Sequence, residues 1–204
     1  MNDKSEQIEL PLTLGHPEIM LDLETMDTKA SAAIVSIGAV KFSADAGVYD
    51  RFHVHVNLQD NIDNGRTLSG QTIMWWLGQS EEARKQLAGG VGLDLWDALC
   101  RFTDWVGSPF EGDGTSYERG PVNPDVLMWG NGAAFDNAIL ASAYETGGFA
   151  APWKFYNDRC YRTVKNMFPD VPLKRIGTHH NAQDDAETQA LHLLEIRAKY
   201  PMIS

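Results

Sequence analysis

The sequence predicts an α/β domain in which a mixed sheet, an antiparallel three-strand meander plus parallel strands, is flanked by helices. Three strand-like segments separated by short turns fill residues 18–56, and a later strand-like segment alternates with helical ones. Strands joined by short turns pair antiparallel, whereas a strand that alternates with helices usually pairs in parallel. The 204 residues suit one domain, which we expect over 18–204 behind a polar lead-in over 1–17.

The first strand, over residues 18–24, carries two acids at alternate positions, Asp22 and Glu24. Successive side chains of a strand point to opposite faces, so both carboxylates share one face while Leu21 and Leu23 enter the core. Two carboxylates held together repel each other, and one stays protonated unless a cation neutralises them. Mg²⁺ meets that requirement, although a lone acid pair of this kind is more often the polar face of an edge strand.

Two further strands complete the meander. Residues 33–42 are mostly apolar and predict a buried strand, and residues 51–56 alternate polar and apolar side chains, which predicts a half-exposed strand. His53 and His55 share one face of this third strand. We interpret them as solvated histidines, because no third metal ligand lies nearby in sequence.

Helical periodicity follows the meander. Trp75 and Trp76 lie near the start of the first predicted helix, and Ser80 resembles a helix cap followed by an acidic turn. Residues 108–124 are rich in Gly, Pro, Ser and Glu and predict a surface loop, either a flap over a site or an inert insertion. The pattern predicts helices over 72–87, 93–106, 133–146, 159–168 and 181–199, a strand over 126–130 and a loop over 169–179.

Two more acids fall near helix starts. Asp136 lies in the first turn of the helix that follows strand 126–130, and Asp185 lies about one turn into the last helix, five residues after His180. A histidine followed by an acid at this spacing is weak evidence alone. Together with the acid pair on the first strand, it predicts a single cleft lined by four carboxylates and one imidazole.

The composition excludes several classes of protein. No apolar run approaches the roughly 18 residues that span a bilayer, and the polar start does not resemble a secretory signal. Cys100 and Cys160 are the two cysteines and lack a zinc-binding spacing, which predicts a reduced, cytoplasmic protein. The lack of a long apolar run predicts no membrane partner.

The formal net charge of −11 argues against nucleic-acid binding. Bound divalent cations would, however, offset several of the carboxylates, and the local field can be positive while the whole chain is acidic. Five basic residues lie close together in sequence. They are Arg159, Arg162, Lys165, Lys174 and Arg175.

Three motifs resemble those of the DEDD superfamily of 3′-to-5′ exonucleases, the RNase T and polymerase-proofreading group. They are Leu21-Asp22-Leu23-Glu24-Thr25, Trp129-Gly130-Asn131-Gly132 through Phe135-Asp136-Asn137, and His180-Asn181-Ala182-Gln183-Asp184-Asp185-Ala186. Histidine in the third motif, where a sister subgroup has tyrosine one position nearer the acid, is typical of the DEDDh subgroup. Residues 72–77 and 158–163 also look like small phage and bacterial exonucleases labelled exodeoxyribonuclease VIII-like.

The third motif contains an ambiguity, because His179 with Asp184 has the same spacing as His180 with Asp185. We prefer the second pair because Ala182 and Ala186 then occupy the small-residue positions of the family pattern.

The resemblance implies an RNase H-like fold and hydrolysis with two divalent cations, Mg²⁺ with Mn²⁺ expected to substitute. By resemblance, Asp22, Glu24 and Asp185 would hold the ion that binds the attacking water, and Asp22 with Asp136 would serve the second. His180 is the expected general base, because an imidazole titrates near neutrality and can accept the proton of water.

Substrate contacts are predicted at fewer positions. The resemblance places Thr25 and Met26 against the 3′-terminal nucleotide. Trp75 and Trp76 offer a stacking face for an unpaired base or belong to the core. Because adjacent helix positions point about 100° apart, we expect at most one of them to stack.

Arg159 and Arg162 are candidates for phosphate contacts, although a solvated helix face explains them nearly as well.

The leading hypothesis is a 3′-to-5′ exonuclease that degrades single-stranded nucleic acid to nucleoside 5′-monophosphates, with DNA favoured over RNA by the phage-like resemblance. The alternatives are an oligoribonuclease-like enzyme on short RNA and a non-catalytic nucleic-acid-binding module of the same fold. Many relatives pair as homodimers, which makes a homodimer an expectation that no sequence feature of this chain establishes.

Overall fold

A computed structural model describes residues 17–107 and 125–201. The predicted lead-in, apart from Pro17, and the predicted surface loop over 108–124 lie outside the described residues. The strands are Glu18–Thr25 (β1), Ile34–Ser43 (β2), Gly47–His55 (β3), Leu127–Gly130 (β4) and Asp158–Cys160 (β5). The helices are Leu58–Asp63 (α1), Gly70–Leu77 (α2), Glu81–Leu87 (α3), Leu95–Val106 (α4), Asp136–Thr146 (α5), Tyr161–Met167 (α6) and Ala182–Lys199 (α7).

The strands form one mixed sheet in the order β3-β2-β1-β4-β5. β1 pairs antiparallel with β2, and β2 pairs antiparallel with β3, which confirms the predicted meander. β4 pairs in parallel with both β1 and β5. The central position of β1 places its acids next to the ends of the parallel strands. Within the described ranges, no helix is long and apolar enough to cross a bilayer.

Alternation along β1 divides the core into two layers. Leu21 and Leu23 are buried in a cluster with side chains of α4 and α5, such as Phe102 and Leu140. Met20 points to the other face, where it packs in a cluster with residues of α6 and α7. Because side chains two apart share a face, the acids of β1 lie on the side of the sheet that α7 covers.

A glycine allows α7 to approach the sheet. Gly38 is the partner of Asp22 across the β1–β2 ladder. A methyl group at Gly38 would lie 2.1 Å from the carbonyl carbon of Ala182, the first residue of α7. The absence of a side chain at Gly38 therefore lets the start of the last helix rest directly beside the acid pair.

The prediction of one helix over 72–87 is wrong. α2 ends at Leu77 with Gly78 as its C-cap, and α3 begins after Ser80. The Ser80 hydroxyl accepts a hydrogen bond from Ala83 N, so the predicted cap is present and starts a new helix. A serine whose side chain caps the following turn competes with continuation of the preceding helix.

The prediction of a helix over 159–168 is also wrong at its start. Residues 158–160 form strand β5, which pairs with residues 128–130 of β4, and the helix begins only at Tyr161. Pairing with a distant strand outweighs local propensity here. The structure also contains α1, which the sequence pattern did not indicate, and α5 begins at Asp136 and not at 133.

The interpretation of His53 and His55 as solvated side chains is wrong too. Both residues are half-buried, and their rings contact edge to face at 4.8 Å between centroids. Burial lowers the pKa of His53, and the neighbouring His55 lowers it further. The Nδ1 atom of His55 is buried without a hydrogen-bond partner among the described residues.

We predict that Gly38→Ala lowers the free energy of unfolding by about 1–3 kcal/mol, because the new methyl group overlaps the α7 backbone. Gly70→Ala is a matched control, since a methyl group there has no heavy atom within 4 Å. Urea denaturation of both variants checks this, and equal stability of the two proteins would contradict it.

Candidate active site

The two acids of β1 meet a third acid from α7. One carboxylate oxygen from each of Asp22, Glu24 and Asp185 lies within 4.8 Å of the other two. Glu24 and Asp185 are each 8% exposed. The Gln189 amide donates a hydrogen bond to Oδ1 of Asp22 at 2.8 Å. Strand alternation and the approach of α7 therefore produce the predicted cluster.

The fourth acid reaches the cluster from the opposite layer of helices. Asp136 is the first residue of α5, directly after the loop that follows β4, and it is 3% exposed. Its Oδ1 accepts a hydrogen bond from Leu23 N at 3.2 Å, which places it beside β1. Its Oδ2 is buried and has no hydrogen-bond partner among the described residues. A buried, unpartnered carboxylate oxygen is suited to bind a cation.

The start of α7 distinguishes the two candidate pairs of the third motif. His180 has a left-handed backbone with φ of 64°, and its N–H donates to Oδ2 of Asp185 at 2.9 Å. Asp184 points elsewhere and accepts a hydrogen bond from Thr178 N at 2.7 Å. The acid that joins the cluster is thus Asp185. The His179 ring stacks on the His180 ring at 3.8 Å, and both line the cleft.

The carboxylates disturb one another's ionisation. Burial, followed by the charges of the neighbouring acids, raises the pKa of Asp22 well above its usual range. Burial and then Asp185 and Asp136 raise the pKa of Glu24 from 4.5 to about 8. Burial raises the pKa of Asp136 from 3.8 to about 7. Such a cluster retains protons at neutral pH unless cations replace them.

The histidine is shifted in the opposite direction. Burial and the neighbouring His179 lower the pKa of His180, although Asp185 opposes this effect. A lowered pKa keeps the imidazole neutral at neutral pH, which leaves a ring nitrogen able to accept a proton.

The four acids line a cleft of about 690 Å³. Trp75 lines the cleft and is 49% exposed, with its ring centroid 5.2 Å from that of His180. Trp76 is 3% exposed, and its indole N–H donates to Thr25 O at 3.0 Å. One tryptophan is therefore available to a ligand while the other fixes the end of β1, which is the division expected from the helical spacing.

The remaining predicted substrate residues separate into two groups. Thr25 and Arg162 line the cleft. Met26 is buried in a separate apolar cluster with Trp76 and does not line it. Arg159 is also absent from the cleft and donates to the carbonyl of Tyr156 at 3.1 Å.

Sequence reasoning missed two residues that contact the carboxylates. Gln189, which binds Asp22, lies four positions after Asp185 and therefore on the same face of α7, a spacing that could have identified it. Arg175 donates to Oδ1 of Asp185 at 2.7 Å. The sequence showed Arg175 only as part of a basic stretch, because its loop carries no periodic pattern.

Comparison with known proteins gives one family match and several structural ones. The family model of the 3′-5′ exoribonuclease Rv2179c-like domain matches residues 17–197. An exodeoxyribonuclease of Enterobacteria phage T4 is 25% identical over 171 residues, which cover 72% of this chain and 69% of the phage protein.

Three solved structures share the fold. The nuclease domain of 3′hExo, a DEDDh family member bound to rAMP, is 14% identical with a TM-score of 0.57 and coverage of 92% of this chain and 94% of that one. Exonuclease I of E. coli in complex with a dT13 oligonucleotide is 10% identical with a TM-score of 0.63, over 92% of this chain but 42% of that one. Pop2p of S. pombe in its Mg²⁺- and Mn²⁺-bound form is 15% identical with a TM-score of 0.58, over 93% and 86%. These likenesses confirm the predicted RNase H-like fold.

We predict that the protein without divalent cations loses stability as the pH rises. The folded carboxyls of Glu24 and Asp136 hold protons that the unfolded chain releases near pH 4, so stability falls between about pH 4 and pH 8. Thermal melting in EDTA at pH 5 and pH 8 measures the fall, which Mg²⁺ or Mn²⁺ at pH 8 should reverse. Glu24→Gln should flatten the profile, and an unchanged slope in that variant would contradict the assignment.

Proposed function

We propose a reaction and a substrate for this chain on the premise that it belongs to the 3′-5′ exoribonuclease Rv2179c-like domain family and is a 3′-5′ exonuclease of the DEDDh type. The proposed reaction is hydrolysis of single-stranded nucleic acid from its 3′ end to nucleoside 5′-monophosphates, with two divalent cations. The observation that carries the proposal is the convergence of four carboxylates and His180 in one cleft.

The residues fit a divalent metal centre. Four carboxyl groups form an oxygen-rich donor set of the kind that Mg²⁺ and Mn²⁺ prefer, and burial raises the pKa of three of them, Asp22, Glu24 and Asp136. The unpartnered Oδ2 of Asp136 adds a free donor atom. We assign Asp22, Glu24, Asp136 and Asp185 as the metal ligands. When bound, such cations activate water and stabilise the charge that develops on the phosphate.

The chain's own groups then do the following work. His180 is neutral at neutral pH and takes the proton of the attacking water. Its backbone N–H holds Asp185 in place, and the Gln189 amide fixes the carboxylate of Asp22. Both hydrogen bonds orient groups before the substrate arrives, which reduces the reorganisation needed during the reaction.

The cleft also offers contacts for an unpaired strand. Trp75 presents a half-exposed ring next to His180, and stacking of one base on such a ring contributes about 1–3 kcal/mol. Arg162 lines the cleft for a phosphate contact, and Thr25 for the terminal nucleotide. Met26 and Arg159 do not line the cleft, and their contact with the substrate stays a prediction.

Two polymers, RNA and DNA, are candidates for the substrate. The family description favours RNA. The phage-like motifs of the sequence and the T4 relative favour DNA, which is the second candidate. The homodimer and the cytoplasmic location stay predictions.

A time course with 5′-labelled single-stranded RNA and DNA of equal sequence tests the reaction. We expect a ladder that shortens from the 3′ end with Mg²⁺ or Mn²⁺ and stops with EDTA, and a faster ladder with RNA. Intact oligomers in every lane would contradict the proposal. If dinucleotides are cleaved while the longer oligomers stay intact, the oligoribonuclease-like alternative is indicated. If the oligomers are bound but not cleaved, the non-catalytic module is indicated.

Two substitutions test the assigned roles. Asp22→Asn should abolish cleavage while the protein still folds. Asp45→Asn, at an exposed turn, is the control and should leave cleavage unchanged. His180→Ala should slow turnover by about 10²-fold or more, because the base is lost, with metal binding largely kept. His179→Ala is the matched control with an expected change of only a few-fold; reversed effects in the two histidine variants would assign the base to His179.

A further inference from the structure

An arginine outside the three sequence motifs is bound to one of the clustered carboxylates. Arg175 donates to Oδ1 of Asp185 at 2.7 Å, and it lines the cleft. The Asp185 side chain is 12% exposed, whereas that of Arg175 is 50% exposed. The other oxygen of Asp185 accepts from His180 N. Both oxygens of this acid therefore accept hydrogen bonds, and a guanidinium lies against its charge.

The backbone on the C-terminal side of Arg175 is attached to α7. Ile176 N donates to the Thr188 hydroxyl at 3.2 Å, and Thr178 N donates to Oδ2 of Asp184 at 2.7 Å. These bonds hold the Cα of Arg175 beside the cluster. Its half-exposed side chain is long and can change rotamer without moving the loop.

A cation at Asp185 and the guanidinium of Arg175 compete for the same oxygen. A divalent ion bound there would repel the guanidinium and use the Oδ1 lone pairs that now accept its hydrogen bond. The released group would remain in a cleft that Arg162 and Lys165 also line. A guanidinium is planar and always charged, and it binds phosphate oxygens in pairs. A phosphate of a nucleic-acid strand in the cleft is its natural second partner.

We propose that Arg175 alternates between two anions: Asp185 when no divalent cation is bound, and a backbone phosphate of the nucleic acid when Asp185 serves as a metal ligand. The inference rests on the proposed function, because it takes Asp185 as a ligand and nucleic acid as the substrate. Metal and nucleic acid then bind with positive cooperativity, since each favours the same position of one side chain.

The first arm of the test measures metal binding by the protein alone. Titration with Mn²⁺, followed by the electron paramagnetic resonance signal of the free ion, should give about two- to fivefold tighter binding for Arg175→Ala than for the wild type, because the partly buried ion pair with Asp185 no longer competes. Lys174→Ala is the matched control. It removes the same charge one residue away, where the ammonium pairs with Glu195 at 2.9 Å, and should change the affinity less than twofold.

The second arm measures the nucleic acid. In EDTA, the anisotropy of a labelled single strand should give the same dissociation constant for Arg175→Ala and the wild type, because Arg175 is then held by Asp185. With Mg²⁺, KM should rise about tenfold for the variant, the loss expected for one charged hydrogen-bonded contact, with kcat changed less than threefold. Arg175→Lys, which keeps the charge but not the planar fork, should recover part of the loss.

The outcomes separate this inference from the proposed function. Absence of cleavage by the wild type would overturn the proposed function, while the Mn²⁺ titration would still report the competition at Asp185. Unchanged or weaker Mn²⁺ binding by a folded Arg175→Ala protein would overturn the competition. Equal weakening of nucleic-acid binding with and without metal would overturn the exchange of partners.

Discussion

Mutual repulsion among buried carboxylates is the constraint that the rest of this structure must satisfy. Asp22, Glu24 and Asp185 place oxygens within 4.8 Å of one another, with burial adding to the cost of each charge. The fold meets part of this cost with hydrogen-bond donors, the Gln189 amide on α7 and the guanidinium of Arg175 on the loop before it. These donors do not neutralise all of the negative charge of the carboxylates. The remaining charge is what bound cations would neutralise.

Much of the site could be predicted because its decisive patterns are local. The alternation of Asp22 and Glu24 along a strand fixes their common face whatever the rest of the chain does. The antiparallel meander followed from short turns, and the presence of parallel strands followed from the change to helical periodicity. The preference for Asp185 over Asp184 agrees with the structure, in which the small residues of the same motif, Ala182 and Ala186, are both fully buried.

The errors arose where distant parts of the chain decide local structure. Residues 158–160 are a strand because β4 lies beside them, and no local pattern reports that neighbour. The division between α2 and α3 depends on a serine that caps forward, which the sequence showed but which also suits a continuous helix. Arg175 reaches Asp185 through a loop without periodicity, so its partner could not be inferred from spacing.

The hydrogen bond between Asp22 and Gln189 joins positions 167 residues apart, and this separation has a consequence during synthesis. Chains emerge from the ribosome N-terminus first, at about 5–20 residues per second, so β1 exists for many seconds before α7 does. Until then the acids of β1 lack the histidine, the third carboxylate and the arginine that α7 and its preceding loop supply. A nascent copy is therefore a nuclease without a completed site, and it acquires the ability to cut nucleic acid only after nearly all of the described chain has been translated.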